Sequence, residues 1–249
     1  MRHKKTVVAG RYIRQAIYPA ACGQMAPATR AGKVKATSEA MRKLNLRYSY
    51  QKLSVILAAG FPHGSNVVTL TYDDAHYPKD RKRVEADLKA FRIRMTKAWK
   101  RKGKPFRMAW SIEHKHGDGR WHVHAVINAA SGNDLPAIQS LWGKGRAETK
   151  HLRINREKNH LSLAIYMAKE ADDQGNGRHG WHYTRNCPRP EAMIETGLSD
   201  SEVLQAPRGA MLIEQESHTN EYGTWQYIAY YIPDDAPART QRMLKRKSF

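Results

Sequence analysis

Two strand-like runs joined by a glycine-containing turn place the strongest constraint on how this chain can fold. Residues 107–115 and 120–128 have the composition of β-strands, and the residues between them, His116-Gly117-Asp118-Gly119, favour a tight turn. We therefore predict a β-hairpin. Successive side chains of a strand point to opposite faces, so His122 and His124 should share one face while the valine between them points into the core.

Strands and helices alternate on both sides of this hairpin. Residues 67–72 are β-branched and alternating, which predicts a strand, and residues 82–101 repeat apolar side chains at helical spacing. Further patterns predict a short helix around 135–142, a strand at 151–155 and a helix from Asn159 to about 172. The order βαββαβα predicts an α+β fold, with a central antiparallel sheet and helices on one face.

The two ends of the chain have less regular patterns. Residues 1–37 mix basic residues with Gly, Ala and Pro without a sustained period, which predicts a basic N-terminal arm, partly ordered at best. A helix from Ser38 to Gly60 should open the principal domain, which would span residues 38–190. Residues 191–249 would form a more acidic C-terminal extension, with a strand at 222–228, that packs on the central sheet.

Composition narrows the class of partner. A formal net charge of +20 and a pI near 10.0 are typical of a protein that binds nucleic acid, although ribosomal and membrane-surface proteins have similar charge. Two cysteines are too few for a disulfide framework or a cysteine-based zinc site. No apolar run approaches the roughly 20 residues that span a bilayer, and no signal peptide is visible. We expect a soluble, cytoplasmic protein without a membrane partner or a small-molecule cofactor.

The predicted hairpin also brings a carboxylate to the histidine face. With a Gly117-Asp118 loop Glu113 lies opposite His122, and with an Asp118-Gly119 loop it lies opposite His124, so it shares their face in both registers. An odd-length loop without a bulge would turn it away. Two imidazoles and one carboxylate with open positions suit Mg²⁺ or Mn²⁺. We predict a divalent metal site at these three residues; the alternative is a pair of surface histidines.

Tyr166 and Lys169 lie one turn apart on the same side of the helix that begins near Asn159. A phenol with a pKa of about 10 must lose its proton to act as a nucleophile, which costs roughly 4 kcal/mol at pH 7. A nearby cation, or a metal that polarises the target phosphate, offsets part of this cost. We predict a tyrosine nucleophile with Lys169 as the cation; the alternative is an inert tyrosine beside a solvated lysine.

Three motifs, in this order, resemble those of the HUH endonucleases, specifically the rolling-circle replication initiator (Rep) proteins of phages and small plasmids. They are the strand Val68-Thr69-Leu70-Thr71-Tyr72, the metal motif His122-Val123-His124 and the nucleophile motif Tyr166-x-x-Lys169. The similarity runs from about residue 44 to residue 190. It implies that residues 38–190 are an HUH catalytic domain, with an RRM-like core.

The resemblance implies a metal-dependent nickase that acts on single-stranded DNA at a replication origin in a bacterial host. Tyr166 would attack the scissile phosphate to give a 5′-phosphotyrosine and a free 3′-hydroxyl, and reversal would rejoin the strand. A single nucleophile is implied, because Ser162 and Glu170 occupy the turns on either side of it. The chain has no Gly-x-x-x-x-Gly-Lys-Ser/Thr loop, so a host helicase is expected as a partner, together with a host polymerase.

Basic and aromatic residues near these motifs are candidates for DNA contacts, or else solvated surface groups. They are Arg146, Lys150, Arg153, Arg156, Lys158, His182, Tyr183 and Arg185. Two alternative functions stay open. The same chemistry could serve a single-tyrosine transposase or a relaxase. In a non-catalytic DNA-binding initiator or repressor, the histidines would be structural and the tyrosine inert.

Overall fold

The computed structural model describes residues 2–19, 39–114, 119–155, 158–173, 180–220 and 223–245. Within these ranges the strands are β1 (Arg2–Ala9), β2 (Tyr12–Pro19), β3 (Asn66–Thr71), β4 (Met108–Glu113), β5 (His122–Ile127), β6 (Ala147–His151), β7 (Trp181–Tyr183), β8 (Ala192–Leu198), β9 (Met211–Asn220) and β10 (Gly223–Tyr231). The α-helices are α1 (Glu39–Gly60), α2 (Arg81–Arg101), α3 (Leu135–Trp142), α4 (His160–Asp173) and α5 (Ala238–Gln241). Two 3₁₀ helices lie at Asp74–His76 and Arg242–Lys245.

These strands form two antiparallel sheets of five strands each. The histidine sheet has the order β6-β3-β5-β4-β7, and the N-terminal sheet has the order β8-β1-β2-β10-β9. The chain divides into two compact units: one spans residues 46–188 and holds the histidine sheet, and the other combines the described residues before 46 and after 188. The predicted α+β class is confirmed, whereas the prediction of one central sheet missed the second sheet.

Helices cover both faces of the histidine sheet. On one face, α2 and α3 pack against alternate residues of β3, β4 and β5, including Val68, Ile112 and Val123. On the other face, α1 and α4 pack in a cluster that includes Ala109 of β4 and Val126 of β5. The prediction of helices on one face was therefore wrong. Central strands that are apolar at both parities bury both of their faces, as β4 and β5 do here.

The β4–β5 hairpin has the register predicted for a Gly117-Asp118 loop. Glu113 lies opposite His122, and Ser111 lies opposite His124. The turn itself, residues 115–118, lies outside the described residues. Val123 is completely buried on the face away from the histidines, as the alternation predicted.

The strand predicted at 151–155 was misplaced. The observed strand, β6, precedes that range and pairs with β3, from Ala147 opposite Leu70 to His151 opposite Asn66. Leu152 follows the end of the strand and is buried in the cluster formed with α1 and α4. The apolar pattern after residue 151 therefore reflects core packing beyond the strand.

The N-terminal sheet overturns the prediction of an irregular arm for residues 2–19. β1 and β2 pair along all of their length, and Ile13 and Ile17 are buried in a cluster with Ile228 and Tyr230 of β10. The alternation of apolar and polar residues in β2 was the missed signal, because the basic composition of the segment obscured it. Residues 20–37 of the predicted arm lie outside the described residues.

Three strands of the C-terminal part of the chain complete the N-terminal sheet. β8 pairs with β1, and β10 pairs with both β2 and β9. The strand predicted at 222–228 is confirmed from residue 223 onward. These strands join the N-terminal sheet and not the histidine sheet. No helix in the described part of the chain is both long and apolar enough to cross a membrane.

Candidate active site

The predicted metal ligands and the predicted nucleophile lie on one face of the histidine sheet. His122 and His124 belong to β5, Glu113 belongs to β4, and all three share the parity of the residues that face α1 and α4. Tyr166 belongs to α4, which packs on this face. The sheet and the helix thus bring the two predicted motifs together, although the ligand strands and the helix are far apart in sequence.

His124 lies at the centre of the cluster. Its Nε2 is 2.5 Å from Oε2 of Glu113 and 3.1 Å from the hydroxyl oxygen of Tyr166. Its Nδ1 is 3.4 Å from the same hydroxyl and 3.4 Å from Oγ1 of Thr69. The His124 and Tyr166 rings meet edge to face, with centroids 4.8 Å apart. One imidazole therefore contacts side chains from β3, β4 and α4.

Thr69 was not predicted as a site residue, although it lies in the first motif strand. It is directly opposite His124 in the β3–β5 pairing, so its side chain reaches the same face. Parity could have identified it once β3 was paired with β5. That pairing joins residues more than fifty positions apart, and local patterns do not specify its register.

Burial and charge set the protonation of the two central groups. Burial lowers the pKa of His124, and the neighbouring Glu113 carboxylate opposes this shift. Burial also raises the pKa of the Tyr166 phenol, and the negative charge of Glu113 raises it further. The phenol is thus harder to ionise than a free tyrosine, and a cation beside it would be needed to favour the phenolate.

Helix α4 presents Tyr166 because of how it begins and which face it buries. The side chain of Asn159 accepts hydrogen bonds from the backbone N–H groups of Leu161 and Ser162, at 2.9 and 3.0 Å, so the predicted cap is confirmed. Ala164 and Met167 are buried, whereas Tyr166 is 46% exposed on the other side.

Two predictions for α4 need comment. Ile165 was assigned to the apolar face but is exposed, because the buried stripe runs through Leu161, Ala164, Met167 and Ala168. Lys169 lies within the helix, one turn after Tyr166, but its side chain lies outside what the structure describes. Its role as the cation near the phenol stays a prediction.

The residue types at this site suit a divalent ion, but the three predicted ligands are not assembled around one point. Among the described residues, no three His, Cys, Asp or Glu side chains converge closely enough to bind a metal. His124 and Glu113 are in direct contact and offer one nitrogen and one oxygen ligand. His122 shares their face, and its side chain would have to rotate to complete a set of three.

The predicted DNA-contacting residues are dispersed. Arg153, Lys158 and Arg185 are exposed, and Arg156 lies outside the described residues. His182 pairs with Trp110 across β7 and β4, and the two rings stack with centroids 5.5 Å apart. Trp110 belongs to the face covered by α2 and α3, so His182 lies on the opposite face of the sheet from His124.

Residues 65–175 match the family model of the replication-associated protein ORF2. The resemblance to replication initiators that the motifs indicated is confirmed over this segment. The matched segment runs from β3 through α4 and contains every residue of the His124 cluster. The chain matches none of the curated proteins and none of the solved structures with which it was compared.

Proposed function

We propose that this protein is a metal-dependent nickase of the HUH type that initiates rolling-circle replication. The observation that carries the proposal is the 3.1 Å approach of the Tyr166 hydroxyl to Nε2 of His124, which in turn contacts Glu113. A nucleophile and two metal-ligand types therefore lie within one phosphate's reach of each other. The match to the replication-associated family supports a role in DNA replication.

The reaction proposed is a transesterification. The Tyr166 hydroxyl oxygen bonds to the scissile phosphorus and loses its proton as the bond forms, and the bond from phosphorus to the 3′ oxygen breaks. The 3′ oxygen takes up a proton and leaves as a hydroxyl. A divalent ion, when bound by His122, His124 and Glu113, would supply positive charge that polarises the phosphate and favours the phenolate.

The chain's own residues would position the reactants. Asn159 holds the start of α4, and the buried stripe of that helix keeps the Tyr166 ring against the His124 edge. Thr69 contacts Nδ1 of His124 and would help to orient the imidazole. Lys169 is proposed to balance charge on the phosphate or the phenolate.

The substrate proposed is single-stranded DNA at a replication origin. Host helicase and polymerase would supply unwinding and extension of the 3′-hydroxyl, in the cytoplasm of a bacterial host. The formal net charge of +20 supports a polyanionic substrate.

Trapping the covalent intermediate tests this proposal. The protein is incubated with a labelled pool of random-sequence single-stranded DNA and Mn²⁺, and adducts are resolved on a denaturing gel and sequenced. We expect an adduct whose DNA is joined through its 5′ end, and we expect its loss in Tyr166→Phe. Tyr48→Phe is the matched control, because Tyr48 is an exposed tyrosine on α1. Equal adduct in wild type and Tyr166→Phe, or none with any DNA, refutes the proposal.

A non-catalytic DNA-binding initiator is the second candidate. It is favoured by one observation, that the three predicted ligands do not converge among the described residues. In the same experiment, tight binding of one DNA sequence without any adduct would support it.

A further inference from the structure

The unit that holds the N-terminal sheet contains a cavity of about 710 Å³ that takes no part in the proposed nicking chemistry. It lies where the loop before β9 meets the C-terminal helical turns. The side chains of Arg208, Arg239 and Arg242 line it, together with an apolar wall that includes Pro207, Pro237 and Met243. We call it the arginine cavity.

Close packing fixes the walls of the arginine cavity. The Thr240 hydroxyl is buried and donates a hydrogen bond to the backbone carbonyl of Arg208, at 2.9 Å. Gly209 has a φ of +78°, and a Cβ there would lie 2.5 Å from Cδ of Pro237. The loop and the helical turns are therefore in direct contact, and the cavity between their side chains has a defined shape.

The three guanidinium groups have no counterion. In the described part of the chain, none of them has a hydrogen bond or an ion pair. Other arginines of the same unit are satisfied: Arg2 donates to three backbone carbonyls, and Arg11 pairs with Asp234. Three like charges around one cavity repel each other, and an anion bound between them would relieve that repulsion.

The lining indicates which anion fits. Guanidinium groups bind phosphate oxygens in a bidentate geometry, and three of them can hold more than one phosphate. No aromatic and no acidic side chain is among the described residues that line it, so the cavity has no surface on which a base could stack. The sequence continues as Lys245-Arg246-Lys247, which adds positive charge next to Arg242 along the chain.

We propose that the arginine cavity is a second DNA-binding site, which holds backbone phosphates of the strand that flanks the nick. The choice of DNA as the polyanion rests on the proposed function, but the cavity's affinity for phosphate does not. Contacts of this kind neutralise phosphates without reading sequence. They would add affinity for long strands and leave the chemistry at Tyr166 unchanged.

Binding measurements on the full chain test the proposal. The variant Arg208→Ala/Arg239→Ala/Arg242→Ala is compared with Lys89→Ala/Lys97→Ala/Lys100→Ala, which removes the same charge from exposed positions on α2. Anisotropy titrations use a long single strand and a strand only long enough to fill the Tyr166 site, over a series of salt concentrations. A third variant, with lysine at the three arginine positions, keeps the charge. Circular dichroism checks that each variant is folded.

We expect the arginine-to-alanine variant to bind the long strand about tenfold or more weakly. The slope of log affinity against log salt should fall by about 2, since each phosphate contact on a single strand contributes about 0.7. Binding of the short strand should be unchanged, and the lysine variant should keep most of the slope. Equal losses in the α2 control would mean that only net charge matters and would overturn the proposal.

Further arms separate the ligand classes and the two proposals. Stoichiometric binding of inorganic phosphate or a mononucleotide that depends on the three arginines, with no change for the long strand, would overturn a DNA site in favour of a small anion. Adduct formation on the short strand reports on Tyr166 alone. If no adduct forms but the long-strand affinity still depends on the arginines, nicking fails and the arginine cavity stands.

Discussion

The hydroxyl oxygen of Tyr166 lies 3.1 Å from Nε2 of His124, although 42 residues separate them in the chain. α4 and β5 each present one of the two side chains to the same space, and Glu113 contacts the imidazole from the next strand. The contact combines a nucleophile of raised pKa with ligands that could bind a cation. Charge placed at His124 should therefore act directly on the ionisation of the phenol.

His122→Ala and His124→Ala should each abolish adduct formation while sparing most of the DNA binding. The physical reason is that each removes one nitrogen ligand and no contact with the DNA backbone. Adduct yield with Mn²⁺ and anisotropy with the same strand measure the two properties separately. His151→Ala is the control, because this histidine is exposed on the edge strand β6. Parallel loss of binding and adduct would instead identify a structural histidine.

Glu113→Gln should shift the metal dependence of nicking. The substitution keeps the shape of the side chain but removes the charge that attracts a divalent ion, so the Mn²⁺ concentration for half-maximal rate should rise by about 10- to 100-fold. The measurement is the adduct rate across a Mn²⁺ titration. Glu148→Gln removes an exposed carboxylate from β6 and should leave the titration unchanged. An unaltered titration for Glu113→Gln would exclude this carboxylate as a ligand.

Acid should destabilise the fold through His160, the first residue of α4. Its Nε2 donates to the carbonyl of Phe61 at 3.0 Å, and its Nδ1 is buried without a partner among the described residues. Burial lowers the pKa of this imidazole to about 4, against about 6.5 in the unfolded chain. Below pH 6.5 the unfolded state takes up the proton first, so stability decreases as the pH is lowered.

The expected loss through His160 is roughly 3 kcal/mol between pH 7 and pH 4, and the stability is fully present above pH 6.5. Urea unfolding across this range measures it. In His160→Gln the pH dependence should be shallower by that amount, even if the variant is less stable at pH 7. The same slope in both proteins would show that other groups cause the acid effect.

Local patterns predicted the parts of the fold that depend on neighbouring residues. The alternation of His122, Val123 and His124 indicated the face of each side chain, and the turn composition indicated the register that places Glu113 opposite His122. Both follow from the pleat of a single hairpin.

Long-range pairing was the part that the sequence concealed. β1 pairs with β8 almost two hundred residues later, and no local pattern specifies such a partner. The basic side chains of β1 and β2 suggested a solvated arm, because composition does not reveal the strand that covers an edge. His122 illustrates another limit: parity gives its face, but the rotamer that would complete a metal site depends on the surrounding packing.

Gly145 should be intolerant of any side chain. It has a φ of +143°, and a Cβ there would lie 2.5 Å from both the backbone nitrogen of Asp73 and the carbonyl oxygen of Thr71. Thr71 ends β3 and pairs with His122, so a shift here would be transmitted to the strand that holds the predicted ligands. Gly145→Ala should lower the free energy of unfolding by about 2 kcal/mol or more, through backbone strain and steric contact.

Gly132→Ala is the matched control for this prediction. Nothing lies within 4 Å of a Cβ built at Gly132, and its φ is outside the left-handed region. Stability by urea unfolding should therefore change little, and a small gain is expected from the reduced entropy of the unfolded chain. If Gly145→Ala proved as stable as Gly132→Ala, the close approach of the 145 backbone to the end of β3 would be wrong. With it would go the argument that this contact fixes the edge of the sheet next to His122.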